Sequence, residues 1–566
     1  MKRHPLENQN SVEQLLQLQS LFDTAQSLYI KGQFEQAQAY YTEILQIDPY
    51  SFEAYYRLGN TLEELHQYEM ALENYDKTLT LHPNHADAHA HRAVVLKILR
   101  KFDEALQSYD KAISLNPHYA ILHSNRGNIL QTLHRYEEAL ESYDRALLLH
   151  PSYVDAHSNR GITLYTLQRY EEALDCYNKA IALNPKHADA YANKGATLTK
   201  MHRYEDALEN YNRAIALKPQ LATAYSNRGN TLKALQRYHD ALEDYNHAIA
   251  INPRFPGAYR NKALLLLLLG DLKKGFDLYE WRWYKDDFTS FARNFSQPLW
   301  LGKEDLKDKA LLIHAEQGLG DTIHFSRYIE RLTHLDSKII FEIPEPLYQL
   351  FHQFKGVYHF VLKGDVLPHF DYHCPLMSLP LVFQTSLDNL PCSMPYLTAN
   401  IHKRDYWKGK LKHLVKPKIG IVWSGSALHN NDHNRSIALQ TLLGYLPNKV
   451  EYIVLQKELK EDDKSILQNH PNIHYFEDEL NDFTDTAGLC DCMDLIISVD
   501  TSVAHLACAM NKETIILLPF VPDWRWMSDR SDSPWYPSAQ LMRQTKINDW
   551  DSCLVQLKAF LDDKFH

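Results

Sequence analysis

Residues 156–185 read "AHSNRGITLYTLQRYEEALDCYNKAIALNP". Two apolar stripes at helical spacing are separated by a short polar turn, and the closing proline ends the second stripe because it cannot continue a helical hydrogen-bond ladder. The pattern does not occur once. Pro49, Pro83, Pro117, Pro151, Pro185, Pro219 and Pro253 stand 34 residues apart, and so do Phe34, Tyr68, Phe102, Tyr136, Tyr170, Tyr204 and Tyr238. Ala37, Ala71, Ala105, Ala139, Ala173, Ala207 and Ala241 keep the same step. The small alanine lets paired helices approach, and the aromatic fills the gap beside it. The chain therefore contains an array of helix pairs.

At this period and with these residues, the stretch 18–289 resembles the tetratricopeptide repeat. It follows an N-terminal extension, 1–17. An eighth, degenerate unit keeps the register through Gly270, Gly275 and "YEWRW" at 279–283, as expected where an array ends against something else. Stacked pairs of this kind form a superhelix whose concave wall carries the first helix of each pair. Asn125, Asn159, Asn193, Asn227 and Asn261 recur there, while Arg57 and His91 take the position in earlier units. A row of carboxamides, each both donor and acceptor, can grip the backbone of an extended peptide. Duplication of "SNRG" accounts for the same row without a binding role.

The 566 residues exceed a single core and suggest several domains. Sixty basic against 71 acidic residues leave a formal charge of -11, which opposes attraction to nucleic acid or an anionic membrane. Seven cysteines without a framework suggest a reducing compartment. The N-terminus lacks the apolar stretch of a secretion signal, and the longest apolar run, "ALLLLLLG" at 263–270, is too short to span a bilayer. A cytoplasmic location is expected.

From about residue 290 the periodicity changes. "ALLIHA", "KIIFEI", "KIGIVW", "YIVLQ", "DLIISV" and "TIILLP" are short runs rich in Ile, Val and Leu between helical stretches, the pattern of parallel sheets covered on both faces. The basic, strand-free stretch 400–417 divides two α/β lobes, 290–415 and 416–566, with a cleft expected between them. In the first lobe "EQGLGDTIHFSRYI", 316–329, runs from strand to helix. Gly318 and Gly320 allow a tight turn and close approach of a ligand, and Asp321 stands at the helix start, where a capping role is the simplest reading. It is not a dinucleotide fingerprint, because Ile323 replaces the third glycine.

In the second lobe "DLIISVD" leads into "TSVAHLACAM". Amides at Thr501 and Ser502 would attract phosphate, while Asp500 would face sugar hydroxyls or hold Thr501. Trp423, Ser424 and Gly425 follow another strand, and Arg435 in the next loop can meet a phosphate in a bidentate fashion or remain a solvated cation. Gln456 and Lys457 are further candidates for nucleotide contact.

With these motifs, and with "DFTDTAGL" and "PDWRWMSDRSDSPWYP", residues 295–560 resemble glycosyltransferase family 9, inverting enzymes that include bacterial heptosyltransferases. The nearer resemblance is to bacterial proteins in which such a module follows tetratricopeptide repeats. The resemblance implies a GT-B fold of two Rossmann-like lobes, Asp321 as catalytic base, and donor contacts at Asp500, Thr501 and His505. The family's lysine with Trp-Pro is replaced here by Arg435-Ser436. The joining of repeats to a GT-B module is similar to O-GlcNAc transferase, although the motifs match family 9 better. The implied activity is metal-independent transfer of a sugar from a nucleotide sugar to an acceptor, a protein if the repeats present it. The alternative is a non-catalytic repeat scaffold with an inactive transferase-like module.

Other clusters read as structural. His85 and His89 have the spacing of a metal pair but nothing to complete it. Cys490 and Cys492 point in different directions on a helix, and "DWD" at 549–551 caps the last helix rather than holding a metal. Trp524, Trp526, Trp535 and Tyr536 read as a packed aromatic edge, with stacking on a base or sugar as the alternative.

Overall fold

The computed structural model describes residues 5–284, 293–391, 393–426 and 431–565. The boundary expected at 289/290 and part of the polar loop before Arg435, residues 427–430, lie outside them. The chain divides into two compact units, Met1–Arg228 and Gly229–His566.

The first unit is a succession of antiparallel helix pairs, such as Phe52–Glu64 with Tyr68–Leu81 and Val154–Thr166 with Tyr170–Leu183. The expected N-terminal extension continues into the first helix, Pro5–Ile30. Within each pair the turn is closed by a left-handed residue: His66, Arg100, His134, Gln168 and His202 have φ between 58° and 60°. A buried tyrosine of the second helix lies against the first helix where that helix carries glycine. A Cβ on Gly161 would come within 2.6 Å of Tyr177, and one on Gly127 within 2.7 Å of Tyr143. Successive pairs are tied by the arginine of the repeated "SNRG". Arg126 donates to Asp110 of the preceding pair at 2.6 Å and to Ser142 of its own pair at 2.7 Å. Arg160 repeats the bond with Asp144 at 2.7 Å. Each link spans one step, so the array is held by neighbours alone.

The second unit contains the last helix pairs and two parallel sheets. The pair Pro256–Leu268 and Leu272–Tyr279 runs into a 3₁₀ turn, Glu280–Tyr284, which carries the "YEWRW" residues. The first sheet has β1 (Ala310–His314), β2 (Lys338–Ile343), β3 (Val357–Leu362) and β4 (Tyr372–Pro375), ordered β3-β2-β1-β4. The second has β5 (Lys418–Val422), β6 (Glu451–Val454), β7 (Ile473–His474), β8 (Leu495–Val499), β9 (Thr514–Leu518) and β10 (Ala539–Arg543), ordered β10-β9-β8-β5-β6-β7. All pairings are parallel. The six apolar runs picked out in the sequence are β1, β2, β5, β6, β8 and β9. β8 and β9 are buried at every position because helices cover both faces. The strand-free stretch at 400–417 contains the helix Ile401–Leu411, which packs on the helix Phe483–Asp491 beside the second sheet.

Both sheets reverse their strand order once, between β1 and β4 and between β5 and β8. Ligands of open parallel sheets bind beyond the strand ends at such points. The Gly-Asp turn follows β1, and the other two motifs follow β5 and β8, so all three stand at the reversals.

Gly161→Ala should destabilise the first unit by about 1–3 kcal/mol, because Tyr177 is fully packed and the added methyl has no room. Thermal melting followed by circular dichroism checks this, and an unchanged melting temperature would contradict the packing described.

Candidate functional site

The turn after β1 begins with Glu316, whose carboxylate is buried. Arg282, from the 3₁₀ turn that ends the helical pairs, meets it with Nε at 3.0 Å and Nη2 at 3.1 Å. The Met377 amide donates to Glu316 at 3.1 Å, and Arg282 also reaches Glu280 at 2.5 Å and Ser378 at 2.8 Å. Burial pushes Glu316 up and Arg282 opposes it. With Glu316 fixed, the chain turns through Gly318 into the helix Leu319–Phe325. Asp321 is not the first capping residue. It lies three positions into the helix and reaches back, accepting the Gly318 N–H at 3.2 Å.

The corner after β8 is organised by Thr501. Its hydroxyl lies 3.1 Å from that of Ser498 and accepts the Ala504 N–H at 3.4 Å, starting the helix Ser502–Ala509. The two corners face each other in direct contact. A Cβ on Gly320 would lie 3.0 Å from the His505 ring and 3.4 Å from Ser502 Cα, so only glycine permits this approach.

Arg525, in the loop after β9, meets the first corner. Its guanidinium bonds Asp321 through Nη2 and Asp523 through Nη1 at 2.8 Å, and it is 8% exposed. Its Nε has no partner. Burial works against this charge, but Asp523 and Asp321 outweigh it and keep Arg525 protonated. Asp500, on the second corner, is pushed up to about 6 by burial and by the like charge of Asp523, against the pull of Arg435 and Arg525.

Behind these carboxylates runs a buried polar chain. His505 Nε2 is 3.7 Å from Asp500, His505 Nδ1 is 3.0 Å from the Tyr536 hydroxyl, and His324 Nδ1 is 3.0 Å from the same hydroxyl. Burial, then neighbouring arginines, hold both imidazoles well below their usual range, so both are neutral. Facing a carboxylate, His505 Nε2 carries the hydrogen. Tyr536 then donates to His505 Nδ1 and accepts from His324 Nδ1–H. This leaves His324 Nε2 as a bare acceptor, in keeping with its lack of a partner among aromatic rings.

The third motif packs beside the second corner. Arg435 donates to the Asp500 carbonyl at 2.9 Å and to Asp432 at 3.3 Å, lying over Gly425, whose N–H bonds Asp432 at 3.1 Å. Two expectations need correction here. Trp423 was expected at the donor, but its side chain is 1% exposed, sits in the core of the second sheet, and donates to Asp463 at 3.0 Å. The Gln456 amide is likewise occupied: it accepts from the Trp423 and Ser424 amides at 3.0 and 3.4 Å and donates to the Ser424 hydroxyl at 3.0 Å. Both shape the turn rather than present a side chain to it.

The structure thus brings together Gly318, Gly320, Asp321, Gly425, Arg435, Asp500, Thr501, Ser502 and His505. Arg525 and Asp523 were not singled out as site residues from sequence, although they lie in the quoted "PDWRW"; a charge flanked by tryptophans was the available signal. The asparagine row remains on its helices. Asn125, Asn159, Asn193 and Asn227 belong to the first unit and Asn261 to the second. Asn159 spends its amide on Asn128 at 2.9 Å. His85 and His89 have structural duties: His85 caps its helix by accepting the Ala88 N–H, and His89 bonds the Pro83 carbonyl. Asp549 caps the final helix. A separate open cavity of about 860 Å³, lined by Gln353, Lys403, Tyr406, Glu479 and Asp485 among others, contains none of the expected site residues. Within its lining Lys403 bonds Asp485 and the Tyr406 hydroxyl donates to Glu479, each at 2.6 Å.

Two changes probe this geometry. Arg282→Met leaves Glu316 and Glu280 without their cation and should cost about 3–5 kcal/mol. All nine tryptophans lie at 281 or beyond, so denaturant titration read by tryptophan fluorescence isolates the second unit. Asp500 binds a proton more tightly folded than unfolded, so its ionisation opposes folding as pH rises from about 4 through about 6. Asp500→Asn should therefore stabilise the second unit by about 1–3 kcal/mol at pH 7.5 and little at pH 4; equal effects at both values would contradict the assignment.

Comparison with known proteins agrees with the helical part. Residues 18–51, 52–85, 86–119, 120–153, 154–187 and 222–255 match tetratricopeptide-repeat models, as do 176–209 and 197–236. Protein FlbA of Caulobacter vibrioides is 24% identical over 330 residues, 53% of this chain and 54% of that protein, so the chain spans about half the length of this relative. Among solved structures, YrrB, described as a repeat protein with an unusual peptide-binding site, is 26% identical, with a TM-score of 0.29 over 34% of this chain and 100% of its own. A tetratricopeptide repeat protein of Parabacteroides merdae is 19% identical, with a TM-score of 0.38 over 44% of this chain and 98% of its own. No described helix is long and apolar enough to cross a membrane. Residues 18–255 are tetratricopeptide repeats, followed by two parallel α/β sheets.

Proposed function

We propose that the two sheets form a GT-B glycosyltransferase module, and that it moves a sugar, with inversion, from a nucleotide sugar to an acceptor held by the repeats. The observation that carries this reading is the direct meeting of the β1 and β8 corners, with Gly320 against the N-terminus of the helix after β8 and the Asp321 carboxylate paired with the buried Arg525.

The chemistry needs a base for the acceptor and positive charge for the leaving group. Asp321 takes the acceptor's hydroxyl proton, and the acceptor oxygen forms its bond to the anomeric carbon. The bond from that carbon to the β-phosphate oxygen breaks, its electron pair leaving with the nucleoside diphosphate. Attack opposite the leaving group inverts the centre. The amides of Thr501 and Ser502, with Arg435, receive the diphosphate, and the charge they supply does this work without a metal ion. Asp500 and His505 face the sugar hydroxyls, with His505 oriented through Tyr536. The repeats supply a protein or peptide acceptor along the asparagine row.

One observation favours the scaffold reading: Asp321 is already paired with Arg525, as it would be in a module that only holds its shape. Nucleotide binding separates the two. A thermal-shift panel of nucleotides and nucleotide sugars should raise the melting temperature of the second unit with at least one member, because a ligand that binds only the native state stabilises it. No response across the panel favours the scaffold. Asp321→Asn should reduce sugar transfer at least about 100-fold while donor binding persists, in line with loss of a general base; a fully active variant overturns the base assignment.

A further inference from the structure

Arg525 is placed for more than holding two lobes together. Asp523 is its fixed partner: one Asp523 oxygen accepts both the Arg525 backbone N–H at 3.1 Å and the guanidinium at 2.8 Å. The Trp524 ring, 4.4 Å away, and the Phe325 ring, 5.5 Å away, hold the guanidinium plane. Asp321 is a different kind of partner. It comes from the opposite corner, 204 residues away in sequence, is 22% exposed, and keeps a second bond to the Gly318 N–H whatever Arg525 does. Gly320, its chain neighbour, touches Ser502 at the helix N-terminus. The Arg525 Nε–H, buried and unpartnered, is a spare donor on the same guanidinium.

We propose that Arg525 is a cation contested by two anions, the Asp321 carboxylate before donor binds and the donor's diphosphate afterwards, so that donor binding itself frees Asp321 to take the acceptor's proton. The inference rests on the transferase reading of the same site and adds an order to it. A diphosphate offers more oxygens than a carboxylate and can take the Nε and Nη2 donors together, the bidentate geometry that suits a guanidinium. The exchange moves no bond and no proton: Arg525 stays protonated and fixed by Asp523, and Asp321 leaves it as an ionised carboxylate retaining the Gly318 N–H. With one oxygen held by Arg525 and the other by the Gly318 N–H, Asp321 offers no free oxygen to an acceptor hydroxyl that arrives first.

Competition predicts a gain where a structural role predicts none. Calorimetric titration of the full chain with ADP, GDP, CDP, UDP and inorganic pyrophosphate gives the reference affinities. Asp321→Asn, of nearly the same shape and without the competing charge, should bind the preferred diphosphate about 10-fold more tightly. Arg525→Lys should bind it at least about 10-fold more weakly, because a single ammonium cannot hold Asp523 and diphosphate in the same fork. Tryptophan fluorescence shows whether Arg525→Lys remains folded, and the Asp321→Asn arm does not depend on it. If the wild type binds a diphosphate and Asp321→Asn binds it equally or less tightly, the contest for Arg525 is refuted while the transferase reading stands. If the wild type binds none of the five, the transferase reading falls and this inference with it.

Discussion

The ion pair between Arg282 and Glu316 sets the frame for everything downstream of it. Arg282 is fully buried at the end of the helical pairs, with four polar partners and the Trp283 ring 4.4 Å from its guanidinium. Taking two such charges out of water costs several kcal/mol each, so the pair is weak as a source of net stability. Its effect is on geometry. Glu316 begins the turn after β1, and a bidentate grip on its carboxylate leaves the following Gln317-Gly318 little freedom in direction. The degenerate last repeat unit thus has a physical purpose in its changed residues: "YEWRW" trades the ordinary repeat pattern for the one arginine able to lock the neighbouring α/β turn.

From that fixed turn the contacts of the site follow in sequence. Gly320 can lie against Ser502 and His505 only because it lacks a Cβ, and Asp321 then projects beside Arg525. The Asp321 and Asp523 carboxylates bond Arg525, and Asp500 feels the charges of both Arg435 and Arg525. Burial, and after it the like charge of Asp523, raises Asp500 to about 6, and burial, with the nearby arginines, keeps the His505 imidazole neutral. Such perturbed groups gather where chemistry occurs, although ion-pair networks also perturb them; the reversal of strand order at β1 and at β5/β8 places this cluster where parallel sheets take ligands.

Legibility in the sequence followed the locality of the cause. The repeats were readable to the residue because each contact stays within a 34-residue step, as Arg126 with Asp110 and Ser142, 16 residues away on either side, illustrates. The six inner strands were readable because burial on both faces along most of their length leaves an apolar run. β3, β4, β7 and β10 were not: all four are the outermost strands of their sheets, β7 has two residues, and β3 exposes Tyr358 and His359, so no apolar run marks it. Trp423 misled because a tryptophan at a strand end looks like a stacking platform, whereas the cover of the second sheet draws it inward to Asp463. Arg525 was invisible as a partner of Asp321 because nothing in either segment encodes the other.

That difference in locality separates the behaviour of the two units. Arg327 reaches the Trp535 carbonyl across 208 residues, His324 reaches Tyr536 across 212, and Arg525 reaches Asp321 across 204. The repeat links cross 16. Closing a loop of the longer kind costs about 2 kcal/mol more than the shorter, and no single contact here covers that alone. The three long-range bonds form together, with Arg327 also lying over the Tyr396, Trp535 and Tyr536 rings. The site is therefore cooperative: its carboxylates, imidazoles and arginines are either all placed or none is. An array of repeats can lose a step and keep its neighbours, but the junction of the two sheets cannot lose Arg327, Arg525 or Arg282 and keep the arrangement on which Asp321 depends.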